Sequence, residues 1–156
     1  MTSFTPTYLD ESRAKTLADA SLIIIAALVL GVGLVSSGVL RHLVQTAPLW
    51  LTVYFGLRRS TEAKWSALPA YVFWLLIVIA IWLFLLGWAK ILTGHFTVIE
   101  ILMTIVVGFA CVFGIIQSLR IRSGMSWLRA LLIVAGVTAV QLVAFRLSQI
   151  PGIANH

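Results

Sequence analysis

Charge is scarce in this chain. Of 156 residues only 10% are Asp, Glu, Lys or Arg, and only five are acidic. Soluble domains carry roughly a quarter charged residues, so this composition cannot clothe a water-facing surface. Five acidic residues also provide no cluster of the kind a metal-dependent lipid transferase needs. Cysteine occurs once, at Cys111. One cysteine excludes an internal disulfide, a two-cysteine redox relay and a multi-cysteine zinc site. Cys111 lies in an apolar run and reads as a small packing residue. A soluble segment long enough to fold a basic face is missing too. The net charge of +6 therefore points to basic membrane loops and not to nucleic acid.

What the chain has instead is long uncharged runs, with 61% of residues hydrophobic. Ser66 to Ala89 is 24 residues without a charge. As a helix it would be about 36 Å long, enough to cross a ~30 Å hydrocarbon core with some tilt. A soluble helix keeps one wet face, and this run has none. The chain is expected to be an all-α integral membrane protein, a four-helix transmembrane bundle forming one domain over 1–156. Spans are expected at about 19–41, 66–90, 98–119 and 126–149. Residues 1–18 read as a short polar tail. Its Arg13 and Lys15, followed by apolar residues and Ser36-Ser37, imitate a secretory signal. The polar start is long and the apolar run is of full membrane length, so cleavage is not expected.

Arg41 to Lys64 is open to two threadings. Leu43 to Leu57 is 15 uncharged residues, short for a span, and Pro48 interrupts it. The preferred threading makes about 46–60 a short interfacial or re-entrant helix. The alternative puts a turn at Ser36-Ser37-Gly38, makes Val39 to Leu57 a fifth span and lets Arg41 snorkel. Both place Arg58, Arg59, Lys64, Arg120, Arg122 and Arg129 on one side, the cytoplasmic one by the positive-inside rule. They differ upstream. Four spans put the N-terminus outside; five put it inside, with Arg41 and His42 outside.

Small and polar residues recur at helical spacing along two spans. Gly31 and Ser37 mark the first, and Thr104, Gly108 and Cys111 the third. Such stripes let helix backbones approach closely, so these residues are expected to form the helix-packing seam. Pro69 is expected in the first turns of the central span. Tyr71, Trp74, Val78, Trp82 and Leu85 lie near one face, where packing or lipid contact outweighs a pigment, haem or quinone groove.

Few residues are suited to chemistry. Glu100 is ionisable near membrane depth, where such groups are costly and often functional. It also suits the first turn of a helix, and that is the preferred reading. Lys90, His95, Glu100 and Arg146 are expected near one rim, as a coupling site or as ordinary headgroup contacts. His42 and His95 would serve a bis-histidine haem only if both lie on one side, as the five-span threading allows. Gly124-Met125-Ser126 is no protease motif: it sits in a basic loop and no His follows it to act as base.

No catalytic residue, cofactor or metal is expected. The expected function is that of a non-enzymatic accessory, assembly or scaffold subunit, with the bilayer and other membrane subunits or a second copy as partners. One alternative is a small oligomeric transporter or channel with Glu100 as proton or cation coupling group. Another is a redox or haem protein using His42 and His95. The expected location is a bacterial cytoplasmic membrane, since no organelle signal is legible.

Overall fold

The computed structural model describes residues 8–89 and 96–154. Among them the chain is all helical, and four helices are long and apolar enough to cross a membrane. They are α1 Tyr8–Val35, α4 Glu62–Leu85, α5 Val98–Arg120 and α6 Trp127–Leu147. Two short helices, α2 Val39–Gln45 and α3 Ala47–Leu57, connect α1 to α4, and α7 Pro151–Ala154 follows α6. The bundle of four long helices and a shorter apolar one is the architecture expected from the uncharged runs.

The first helix differs from expectation at both ends. Its first turns belong to the bundle and are no free tail. Asp10 is 1% exposed, and Ala14, Leu17 and Ala18 are fully buried. The helix stops at Val35, six residues early, because the chain turns at 36–38. Gly38 N–H closes that turn on Gly33 O at 2.9 Å. Ser37 takes φ 55, the left-handed conformation common just past a helix end. The turn therefore sits where the alternative threading put it. Ser37 is exposed in the turn and does not belong to a packing seam.

From this turn α2 and α3 run back along α1. Pro48 cannot continue a helix and suits a helix start, so the arm breaks at Thr46 and restarts at Ala47. Gly56 then packs directly on α1. A Cβ there would lie 2.5 Å from Ala14 O and 2.8 Å from Ala18 Cβ. Arg59 ends next to Glu11 at 3.8 Å, so the two arms of the hairpin share their ends. Leu49 and Thr52 are fully buried while Trp50 and Tyr54 are exposed, so the short helix packs one face on the bundle.

The basic end is held by charged groups meeting the end of α5. The last carbonyls of a helix have no partners within it, and cations suit them. Arg13 donates to Arg120 O at 2.9 Å, and Lys64 Nζ donates to Ile121 O at 3.0 Å. Asp10 Oδ1 accepts Arg122 N–H at 3.0 Å. Glu62 pairs with Arg129. The start of α1 thus lies at the same end as the basic loops. Because α4 begins at Glu62, Pro69 sits two turns inside it and not in its first turn.

The seam of α5 faces its neighbours as expected for most of its length. Thr104 and Cys111 are buried, and Gly108 approaches Val78. Gly31 of α1 meets Met103. The tightest fit is at Gly114, which the Tyr71 ring covers. A Cβ there would lie 2.3 Å from Tyr71 Cε2. Tyr71 is fully buried; its hydroxyl donates to Leu17 O at 2.7 Å and bonds Ser21 Oγ at 2.9 Å. One side chain thereby links α1, α4 and α5.

Gly114→Ala should therefore destabilise the purified protein by about 1–3 kcal/mol through overpacking. Gly136, whose Cβ would meet nothing within 4 Å, is the control. There Ala should be neutral or stabilising by up to about 1 kcal/mol through helix propensity. Thermal unfolding in detergent distinguishes them; a Gly114→Ala protein as stable as its parent would remove Tyr71 on Gly114 as a fixed contact.

Candidate functional site

At the end opposite the basic loops the helices form a partly open cavity of ≈ 370 Å³. Its origin lies in two departures from regular helix. Residues Ala27–Val32 of α1 are π-helical, and Leu28 and Val32 from this segment line the cavity. Single π-helical turns widen a helix locally and recur at functional sites. The second departure is the break at Thr46, which lets α2 set its own direction. Arg41, His42 and Gln45 of α2 form one wall. The opposite walls are Trp74, Ile77, Val78 and Ile81 of α4 and Glu100, Thr104 and Val107 of α5. Ser36, Phe96 and Phe145 complete it.

Its walls are mostly apolar, with polar groups of two kinds. Two of the acceptors, Glu100 Oε2 and Thr104 Oγ1, are engaged. Glu100 Oε2 accepts Thr97 N–H at 2.7 Å and Thr97 Oγ1–H at 2.8 Å, while Thr97 Oγ1 accepts Glu100 N–H at 3.3 Å. This is a capping box, in which two otherwise orphaned N–H groups are satisfied reciprocally. Thr104 Oγ1 accepts Trp82 Nε1–H at 3.1 Å and donates to Ile101 O at 2.7 Å.

Three nitrogens are different. Arg41 Nε, His42 Nδ1 and Trp74 Nε1 are buried and have no hydrogen-bond partner. Trp74 is only 3% exposed. A buried unmatched donor costs about 1–3 kcal/mol, and Trp74 Nε1 and Arg41 Nε can only donate.

Gln45 fixes the wall that carries two of them. Its Nε2 donates to Ser148 Oγ at 2.9 Å, and its carbonyl accepts Gln141 Nε2–H at 3.2 Å. All three residues are almost fully buried. Uncharged polar pairs of this kind hold helices together in a bilayer, at about 0.6–2 kcal/mol each.

The expected rim set is only partly assembled. Glu100 lines the cavity, but as a cap whose carboxylate faces Thr97. Arg146 is exposed and does not line it. Lys90 and His95 lie outside the described residues, and so does the His42–His95 pair as a haem site. Among the described residues no three His, Cys, Asp or Glu side chains converge. The sequence pointed to Glu100 and underrated Arg41, Gln45 and Trp74. One signal was available: Arg41 is the only charged residue between Asp19 and Arg58. Trp74 was indistinguishable from its aromatic neighbours, because only packing decides which indole nitrogen finds a partner. Compared with known proteins, the chain matches no family model, no curated protein and no solved structure.

If Glu100 acts as a cap, Glu100→Ala should cost about 1 kcal/mol. Glu100→Gln should stay within a few tenths of that of the parent, since an amide oxygen still accepts the Thr97 N–H. Unfolding midpoints of the three proteins decide it, and an Ala variant that melts with its parent would remove the cap from the account.

Proposed function

We propose that this chain is a non-catalytic membrane protein that holds one small amphiphile by its polar head in the cavity between α1, α2, α4 and α5. It would act as an accessory subunit of a membrane complex. The observation that carries the reading is Trp74: almost fully buried, with Nε1 unmatched at the cavity wall. Natural cores seldom keep such a group without a use. Arg41 Nε and His42 Nδ1 line the same space in the same state. A mostly apolar pocket with a few convergent polar groups is the usual form of a ligand site. The transport reading has less support, because one oxygen of the Glu100 carboxylate is held by Thr97 in a cap.

The accessory role draws on α6. This helix buries Ala130, Val137, Gln141 and Ala144 and leaves most other side chains outward. Its outward face includes Ala135, Gly136 and Ala139, small residues against which another span can approach closely.

In a cytoplasmic membrane the basic end would face the cytoplasm, which holds α1's start inside and the cavity outside. In a Cys111→Ala background, a cysteine replacing Tyr8 should resist an impermeant thiol reagent applied to intact cells. One replacing Gly152 should label. The opposite pattern would invert this orientation.

Purified protein should carry one amphiphile above the level of bulk lipid, identified by mass spectrometry of the extract. Ile81→Trp, which adds bulk at the cavity wall, should lose it while keeping its unfolding midpoint within a few degrees. Equal amounts in both proteins would end the binding reading.

A further inference from the structure

We infer that the cavity takes the zwitterionic head of a membrane phospholipid, its phosphate against Arg41 and its ammonium against Glu100; the inference rests on the binding reading above. Among the described residues two charged side chains line the cavity, and they have opposite sign. Arg41 belongs to the α2 wall and Glu100 to the α5 wall. They do not pair with each other. The ion pairs among the described residues are Arg13 with Asp10, Arg59 with Glu11 and Arg129 with Glu62. An unpaired charge beside apolar walls is costly. A cavity that keeps one charge of each sign apart therefore favours a ligand that carries both. A lone anion would leave Glu100 uncompensated, and a lone cation would leave Arg41 so.

Each charge has polar company of the right kind. Trp74 Nε1 and Arg41 Nε can only donate, and His42 Nδ1 can donate too; all three are buried without a partner. The two charged oxygens of a phosphodiester accept from several directions at once, and they match a guanidinium well. On the other side the Glu100 carboxylate has capacity left. Thr97 engages Oε2 alone, and Oε1 holds no hydrogen bond among the described residues. Ser36 Oγ gives its proton to Val32 O at 2.9 Å, so it offers a ligand only lone pairs. These acceptors suit an ammonium.

The position of the cavity fits a lipid head. It lies at the end of the bundle opposite the basic loops, near one face of the bilayer, where headgroups sit. Its volume of ≈ 370 Å³ is within the range of small-ligand pockets. It is partly open, which lets acyl chains leave it while the head stays. Leu28, Val32, Ile77 and Ile81 give the first methylenes an apolar wall.

The test is a titration of the full-length protein in detergent with four probes. They are a short-chain phosphatidylethanolamine, the phosphatidylglycerol and the diacylglycerol with the same chains, and glycerophosphoethanolamine, the head without chains. The readout is a saturable rise in unfolding temperature, measured for the parent, Arg41→Gln, Glu100→Gln and Ile81→Trp. The parent should bind the phosphatidylethanolamine roughly tenfold more tightly than the phosphatidylglycerol, the equivalent of one charge-assisted hydrogen bond. Glu100→Gln, which keeps the cap, should erase that preference. Arg41→Gln should weaken both phospholipids about tenfold. Ile81→Trp should lose saturable binding, and the diacylglycerol and the chain-free head should produce no saturable shift. If the parent binds the phosphatidylglycerol or the diacylglycerol as tightly and Ile81→Trp abolishes that binding, the cavity reading stands and the zwitterion is wrong. A preference that survives Glu100→Gln, or an affinity untouched by Arg41→Gln, overturns it too. If the chain-free head binds as tightly as the lipid, the occupant is a water-soluble zwitterion and the lipid is wrong. If every probe shifts Ile81→Trp as it shifts the parent, or none shifts the parent saturably, both readings fall.

Discussion

Gln45 is the residue on which the far half of this protein depends. A helix broken inside a bilayer leaves polar groups that hydrocarbon cannot satisfy. The break at Thr46 is forced by Pro48, and Gln45 precedes it. Its side chain and carbonyl reach Ser148 and Gln141 on α6, so the broken arm is tied to a helix far away in sequence. Arg41 and His42 are thereby turned onto the cavity instead of out to the membrane surface.

The two ends of the bundle are built on opposite principles. At the basic end the charged groups are matched: Arg13 and Lys64 close the carbonyls of α5, Asp10 takes an N–H, and Glu62 meets Arg129. Below it, Tyr71 seated on Gly114 makes the tightest part of the core. At the far end α1 loosens into a π-helical segment, α2 is short, and three buried nitrogens stay unmatched. Close packing at one end supports open space at the other. Rigid packing beneath a site is what allows unmatched donors to persist, since a softer core would close around them.

Much of the fold was legible because lipid imposes simple demands. A helix that faces hydrocarbon must be apolar along about 20 residues, and four runs meet that demand. Glu100 announced a helix start, and the stripe through Thr104, Gly108 and Cys111 announced a contact face. The tail was misjudged because Asp10 and Arg13 look solvated until the end of α5 is seen to need them. Ser37 was misjudged by the same kind of error: its spacing suits a seam, but the helix stops two residues before it.

By itself the sequence determined that the chain is helical, spans a membrane several times, and keeps most of its positive charge at one end. These follow from hydropathy and charge, which are sums over residues and need no knowledge of neighbours. Tertiary structure alone decided that α3 folds back on α1 at Gly56, and that α2 faces inward. It also decided that Arg41, His42 and Trp74 share one cavity. Whether a buried nitrogen has a partner depends on atoms brought close by packing from distant parts of the chain. No local pattern encodes that, so the site became visible only once the helices were assembled.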